Sequence, residues 1–421
     1  MTPAHRTARR SLPWLLAALS MIGPFSIDAV FPSFPLVGAR FGVDATALQQ
    51  LISVYLVSYA AMSLFHGAIS DAIGRKPVMV AGMLLYAVAS AGAALSTSFA
   101  MLLACRGLQG ASAGAGLVVG RAVIRDTFAG AEAQRLMSQV MMIFGVAPVI
   151  APMVGAQLLP LGGWHGIFWV LTGFTMLLAT ALMLWLDESH PPARRTRFAA
   201  RALLASYLGF GRDRPFWPLL ISSSVNFAGL FLYIASAPRI VRELLHLSAK
   251  GFPWLFVPVV AGLVGGAWLS GRMAERRSVA FTVRLGYVVM LLACALHLLL
   301  ALVFPVPILP WSMLPLILQG VGVQLAFPTI TLLLLDRFPQ QRGGISSVQA
   351  FASLLLCSIV AGLLSPLLSV SMLGLALGAS ALSVIGFASW RWYRAISRED
   401  LDGAAPISSV TILQAEIVEP R

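Results

Sequence analysis

The sequence predicts an all-α membrane protein of twelve transmembrane helices in two pseudo-symmetric halves of six. Three observations predict it. Hydrophobic residues make up 58% of the chain and charged residues 11%, far from the roughly 25% charged of a soluble domain. Apolar runs of about 20 residues, the length that crosses about 30 Å of hydrocarbon, recur along nearly the whole sequence. The longest polar break, 187–215, falls midway and leaves six runs on each side.

The runs lie near 13–36, 47–69, 78–97, 99–121, 136–160, 165–186, 216–238, 251–271, 280–303, 309–332, 344–366 and 370–392. The first follows Arg6, Arg9 and Arg10 as the core of a signal peptide would. It continues past Phe34 without an A-x-A site, and more runs follow, so it is read as a retained span. The organisation is therefore a first half over 1–186, a linker over 187–215, a second half over 216–396 and a polar tail over 397–421. The linker carries Arg194, Arg195, Arg197, Arg201, Arg212 and Arg214.

A net charge of +13 invites a nucleic-acid reading. The placement of the charges argues against it. Of the Lys and Arg residues, only Arg40, Arg239, Arg242 and Lys250 fall on one side of the runs, Arg106 lies inside a run, and the rest fall on the other side. That asymmetry puts both termini in the cytoplasm. Cys105, Cys294 and Cys357 sit within apolar runs without metal-ligand spacing, as buried small hydrophobes do.

The halves echo each other. "LQG" at 108–110 returns at 318–320, and Asp126-x-Phe128 returns as Asp336-x-Phe338 at the same offset. Ser70 is matched by Ser270, and Arg276 and Arg277 stand near the place of Arg75 and Lys76. Together with the six-plus-six hydropathy, these matches support parallel repeats of the secondary-transporter kind.

Between the second and third runs, "GAISDAIGRKPV" (Gly67–Val78) sets Asp71, Arg75 and Lys76 in one turn. Arg75 and Lys76 follow from the positive-inside rule, whereas Asp71 does not. A carboxylate there suits the N-terminus of a neighbouring helix. Gly67 is expected to let helices approach, and Gly74 to supply the positive φ of a tight turn. The stretch resembles the loop signature of the major facilitator superfamily, G-x-x-x-D-x-x-G-R-[KR], at Gly67, Asp71, Gly74, Arg75 and Lys76. A second signature of that superfamily, R-x-x-Q-G, is matched by Arg106, Gln109 and Gly110. "GPFSIDAVFPSFP" resembles the D-x-x-x-P-x-x-P of Bcr/CflA-type drug:proton antiporters at Asp28, Pro32 and Pro35, and "RAVIRD" and "APVIAPMVG" are similar to the same group. The chain departs from the antiporter signature of span five, which usually carries a Gly-Pro dipeptide; Pro148, Pro152 and Gly155 stand there instead. The resemblance implies a major facilitator fold. It also implies a cytoplasmic gate in which Asp71 faces span eleven, near Gly343 to Ser347, and Arg75 pairs with Asp126. For Lys76, ordinary loop charge explains the residue equally well.

Asp28 is the one acid placed well inside a run. An intramembrane carboxylate is costly and marks ion or substrate handling; the alternative is a hydrogen-bonded structural Asp beside the prolines of a kinked helix. Arg106 is the one base deep in a run, and its repeat-mate is Leu316. It either polarises a proton site, contacts substrate, or satisfies carbonyls of a broken span one. Gly145, Pro148, Pro152 and Gly155, spaced 3, 4 and 3, share one helix face and permit close packing and a kink. This face is expected to lie where the halves slide or seal. Gln109, Asn226, Tyr233, Gln319 and Gln324 are cavity candidates or, more ordinarily, interhelical glue. Sixteen Met and 23 Phe suit an adaptable pocket and equally suit ordinary membrane core.

No Walker A, H-E-x-x-H or G-x-S-x-G motif is present, and "GAGLVVG" has the wrong spacing for a dinucleotide fingerprint. Together with the resemblance, the sequence leads to the expectation of a non-enzymatic monomer without cofactor in a bacterial inner membrane, in contact with lipid. It is expected to export small, largely apolar drugs in exchange for protons. A sugar or amino-acid carrier is the nearest alternative, although such carriers need more buried polar ligands than these runs offer. A non-transporting sensor leaves Asp28 and Arg106 unexplained.

Overall fold

The computed structural model describes residues 3–128, 130–274 and 276–397, all of them helix or connection. Among the described residues eleven segments are long and apolar enough to cross a membrane. The expected twelve are recovered because the fifth and sixth runs are joined in one helix, α7 (Gly130–Trp185), broken where Gly162 and Gly163 leave helical geometry. At about 1.5 Å per residue, 56 unbroken residues would reach nearly three times the hydrocarbon thickness.

The first span is interrupted. Helix α1 (Pro3–Asp28) stops, a 3₁₀ turn covers Phe31–Ser33, and α2 (Phe34–Phe41) resumes. Pro32 and Pro35 cannot donate the backbone bonds that would carry α1 onward. The second and third spans are α3 (Ala45–Ile73) and α4 (Arg75–Ala94). The fourth comprises α5 (Phe99–Gly114), a π segment over Ala115–Val119 and α6 (Gly120–Thr127). Side-chain caps set where these helices begin: Asp44 Oδ1 accepts from Ala47 N at 2.8 Å, and Ser98 Oγ accepts from Met101 N at 3.2 Å.

After α7 the linker forms α8 (Ala200–Phe210). The second half follows as α9 (Phe216–Ala235), α10 (Ala237–Arg239), α11 (Pro253–Ala274), α12 (Val279–Val303), α13 (Pro315–Asp336), α14 (Arg342–Ile359), α15 (Ser365–Leu368) and α16 (Met372–Ile396). Two more π segments, Ile240–Leu244 and Val360–Leu364, follow α10 and α14.

The chain clusters into two compact units. One gathers the chain up to Leu204 with Ala235–Pro253 and Ala350–Leu367; the other gathers Ala205–Ile234, Trp254–Gln349 and the chain from Leu368. In the first unit α1 and α4 pack on α7, and α3 packs on α5. The two stretches from the second half are held there by hydrogen bonds to α3. Gln49 Nε2 donates to Ala235 O (3.0 Å), Gln50 Nε2 donates to Gly362 O (3.1 Å), and Ser53 and Ser358 exchange hydroxyl contacts at 2.9 Å. In the second unit α12 packs on α13 and α16.

The repeated "LQG" has a steric cause. A Cβ on Gly110 would fall on the Tyr55 carbonyl of α3, and one on Gly320 would come within 3.0 Å of the Gly262 backbone of α11. Each glycine thus lets the fourth span of its half touch the second. At Gly67, which is half-buried, nothing among the described residues lies within 4 Å of an added Cβ. The three cysteines are unpaired and buried.

Candidate functional site

The first unit holds a polar core inside its membrane-spanning helices. Asp28 is the last residue of α1 and only 3% exposed, and its Oδ1 has no hydrogen-bond partner among the described residues. Immediately after it the chain passes against α7, where a Cβ on Gly155 would collide with the Ala29 carbonyl. Gly155 therefore packs α7 against the break in span one, within the first unit. Of its face-mates, Pro152 is buried and Pro148 half-buried; Gly145 lies outside the residues whose surroundings are described.

Arg106, on α5, is fully buried. Its Nε donates to Leu51 O at 3.0 Å, and its Nη1 donates to Ser26 Oγ (3.0 Å), Ser26 O (3.4 Å) and Gln109 Oε1 (2.9 Å). The guanidinium carbon lies 4.5 Å from the Tyr55 ring centre, a cation–π contact. None of these partners is a carboxylate, and Nη2 has no partner among the described residues. Ser26 O belongs to the last turn of α1, whose carbonyls lose their helical partners when the helix stops. Arg106 thus caps the broken end of the helix on which Asp28 sits. Gln109 passes the network on, its Nε2 donating to Ser90 Oγ of α4 at 2.7 Å.

A charged cluster occupies the α3–α4 turn. Arg75 is buried; its Nε donates to Asp126 Oδ2 at 2.9 Å, and its Nη1 meets Asp71 Oδ1 at 2.6 Å and Ser70 Oγ at 2.5 Å. Gly74 turns the chain at φ 109°. A residue not singled out in the sequence completes the turn: Glu188, from the linker, accepts from Arg75 N (2.9 Å) and Lys76 N (3.3 Å) at the start of α4. A carboxylate there satisfies N–H groups that have no helical partner and opposes the dipole. Lys76 Nζ donates to Met183 O at 2.9 Å, near the end of α7. That bond ties the loop charge to the sixth span. Thr196 N donates to Asp71 O at 3.1 Å, fixing the linker to the turn a second time. Asp71 itself keeps 43% of its side chain exposed.

In the second unit Asn226, Tyr233 and Gln319 are buried among their neighbours, and Gln324 is half-buried. Tyr233 stacks on His297, ring centres 4.9 Å apart, with Tyr233 Oη 3.3 Å from His297 Nδ1. Gln319 Nε2 donates to Ser383 Oγ at 3.3 Å. Asn226 is 1% exposed. Tyr233 and Gln319 join helices of one unit, which is the ordinary role of such groups. The counterpart of the Arg75 cluster is built differently: Asp336 pairs with Arg342 at 2.8 Å, and Arg337 pairs with Asp213 from the end of the linker.

The sequence reading missed Ser26, Tyr55, Ser90 and Glu188. Ser26 and Tyr55 each stand within a few residues of Asp28 or Gln49, but a hydroxyl in an apolar run carries no pattern that separates a ligand from filler. Glu188 carried more signal, as one of three acids, with Asp187 and Asp213, in a linker dominated by arginine.

Long apolar helices in repeated halves, a buried acid beside a capped helix break, and a charged hub at a turn between two spans define a secondary membrane transporter rather than an enzyme. Residues 16–366 match the Major Facilitator Superfamily, and the chain belongs to it. It is 29% identical over 366 residues to "Uncharacterized MFS-type transporter YdgK" of Bacillus subtilis (strain 168), covering 86% of this chain and 89% of that protein. It is 28% identical over 314 residues to "Chloramphenicol resistance protein" of Pseudomonas aeruginosa, covering 74% and 73%. The solved bacterial homolog of the human lysosomal transporter Spinster, in its inward-facing and occupied conformation, has the same fold. Its TM-score is 0.69 at 17% identity, over 96% of this chain and 98% of that one. Within the superfamily the chain resembles the Bcr/CflA-type drug efflux transporters.

Proposed function

We propose that this protein exports small, largely apolar drugs across the bacterial inner membrane in exchange for protons, by alternating access, with Asp28 as the coupling carboxylate. The observation that carries the reading is Asp28 itself: an acid buried in a membrane span, at a helix break, with an oxygen left without a partner among the described residues. Such a group is costly unless it is used. The broken backbone beside it adds support, since irregular backbone at membrane depth persists only where protein or a water-filled cavity receives it. The drug-resistance names of the relatives support the substrate class.

The energetics suffice. One proton entering down about 100 mV supplies about 2.3 kcal/mol, enough for a drug gradient of roughly fifty-fold. Protonation of Asp28 alternates with drug occupancy, and Arg106 holds the end of α1 in place meanwhile. Asp28→Asn fixes the neutral form. The test is drug-driven proton release from detergent-solubilised protein near neutral pH. The expected result is loss of release in the Asn variant while drug binding and downhill exchange survive. Release equal to the unaltered protein rules out Asp28 as the coupling group.

A further inference from the structure

The linker does more than join the two halves. Helix α8 buries Phe210 and half-buries Leu203, Ser206 and Tyr207, and it exposes the opposite side: Arg201, Leu204 and Leu208. Those three positions, spaced 3 and 4, share one helix face. Leu208 is 80% exposed. A water-facing surface helix normally turns its polar side outward; this one turns leucines outward, accompanied by an arginine. The flanking sequence continues the pattern, with exposed Arg194, Arg197 and Phe198 before the helix and exposed Arg212, Arg214 and Trp217 after it.

Two of the linker's three acids are engaged elsewhere: Glu188 is spent on the start of α4, and Asp213 is paired with Arg337. Of the six linker arginines, Arg195 approaches Glu188 at 4.0 Å, while Arg194, Arg197, Arg201, Arg212 and Arg214 have no ion pair among the described residues. Helix α8 ends five residues before α9 enters the membrane. At no more than about 3.6 Å per residue, that connection holds it to within roughly 20 Å of the bilayer surface.

We propose that the exposed face of α8 is a docking surface for anionic phospholipid: Leu204 and Leu208 enter the headgroup region of the adjacent leaflet, and Arg194, Arg197 and Arg201 bind its phosphates. The chemistry is that of an interfacial helix, apolar side chains submerged and guanidinium groups at headgroup level. Each arginine near an anionic surface strengthens association about five-fold, so losing three weakens it on the order of a hundred-fold. Because Thr196 and Glu188 bind the α3–α4 turn, the docked linker also anchors that turn to the leaflet.

The test uses the full-length protein in nanodiscs of phosphatidylcholine alone or with phosphatidylglycerol. A fluorophore is attached at Gly209→Cys, an exposed position with open space around it; the native cysteines are buried. Quenching by nitroxide-bearing lipid reports whether the helix lies in the headgroup region. Quenching is expected to rise with phosphatidylglycerol and to fall with added salt. It should be lost when Arg194, Arg197 and Arg201 are all changed to Ser and retained when all three are changed to Lys. Retention in the Lys variant shows that charge, rather than a disturbed fold, is responsible. Equal quenching in both lipids and in the Ser variant overturns the proposal, as does an absence of quenching in every lipid, which would leave this face to a water-borne protein partner.

Discussion

Gly74 and Glu188 should behave as one unit, and the structure fixes how. Gly74 sits at φ 109°, ψ 156°, and a Cβ there would strike the Glu188 carboxylate and come within 2.8 Å of Arg195 Nη2. Changing Gly74 to Ala therefore carries two costs: backbone strain of about 1–3 kcal/mol, and displacement of Glu188 from the two N–H groups it caps. The cap is worth about 1–2 kcal/mol. Glu188→Ala alone removes only the cap. If the alanine methyl has already displaced the carboxylate, removing it afterwards costs almost nothing. The double variant should then be less destabilised than the two single losses predict, by about 1–2 kcal/mol. Unfolding of the purified protein in detergent, followed by heat and denaturant across all four forms, measures this coupling. An equal cost for Glu188→Ala in both backgrounds would refute the assigned contact between linker and turn.

Gly110→Ala should destabilise by about 1–3 kcal/mol or prevent folding, because its methyl lands on the Tyr55 carbonyl; a melting point matching the unaltered protein would show that α3 and α5 do not cross as described. Asp126→Asn should cost only about 1 kcal/mol of stability, since Arg75 keeps Asp71 and Ser70 and the Asp126 side chain is 23% exposed; a loss several times larger in denaturant titration would mean that Asp126 holds more than its contacts with Arg75 and Ser189. Arg106→Leu should leave a folded, membrane-inserted protein with drug efflux abolished, as judged by size exclusion and dye retention; normal efflux would reduce Arg106 to a structural cap.

Much of the fold was legible because membrane insertion writes itself into composition. Apolar length marks the spans and the prolines of 24–35 mark the break in span one. The parity of the linker with the midpoint marks the repeat. Asp71, Arg75 and Lys76 were legible for the same reason, since charges in a tight turn between apolar runs are few enough to be weighed singly; the Arg75–Asp126 pair was expected only from the family resemblance. What stayed hidden depended on long-range approach. No local pattern tells that Glu188 folds back more than a hundred residues to cap α4, nor that Gln50 and Ser53 reach Gly362 and Ser358. Gly110, Gly155 and Gly320 carry close helix contacts, whereas no described residue lies within 4 Å of a Cβ placed on Gly67.

The repeat separates scaffold from function more sharply than any single residue does. At the 210-residue offset, Gly110 and Gly320 occupy equivalent crossings, so the glycine belongs to the architecture. Gln109 and Gln319 are both buried and both bond a serine on a neighbouring helix, so the amide belongs to it too. One turn earlier the halves part: Leu316 is fully buried, whereas the matching place in the first half holds a fully buried arginine. A crossing that packs with leucine in one half does not need a guanidinium in the other. The reason for Arg106 must lie in something peculiar to the first half, and its partners name it: Ser26 O and Ser26 Oγ, at the end of a helix that stops two residues later at Asp28. A broken helix inside a membrane needs a donor for its stranded carbonyls. By supplying one, Arg106 keeps α1 terminated at the point where Asp28 is buried.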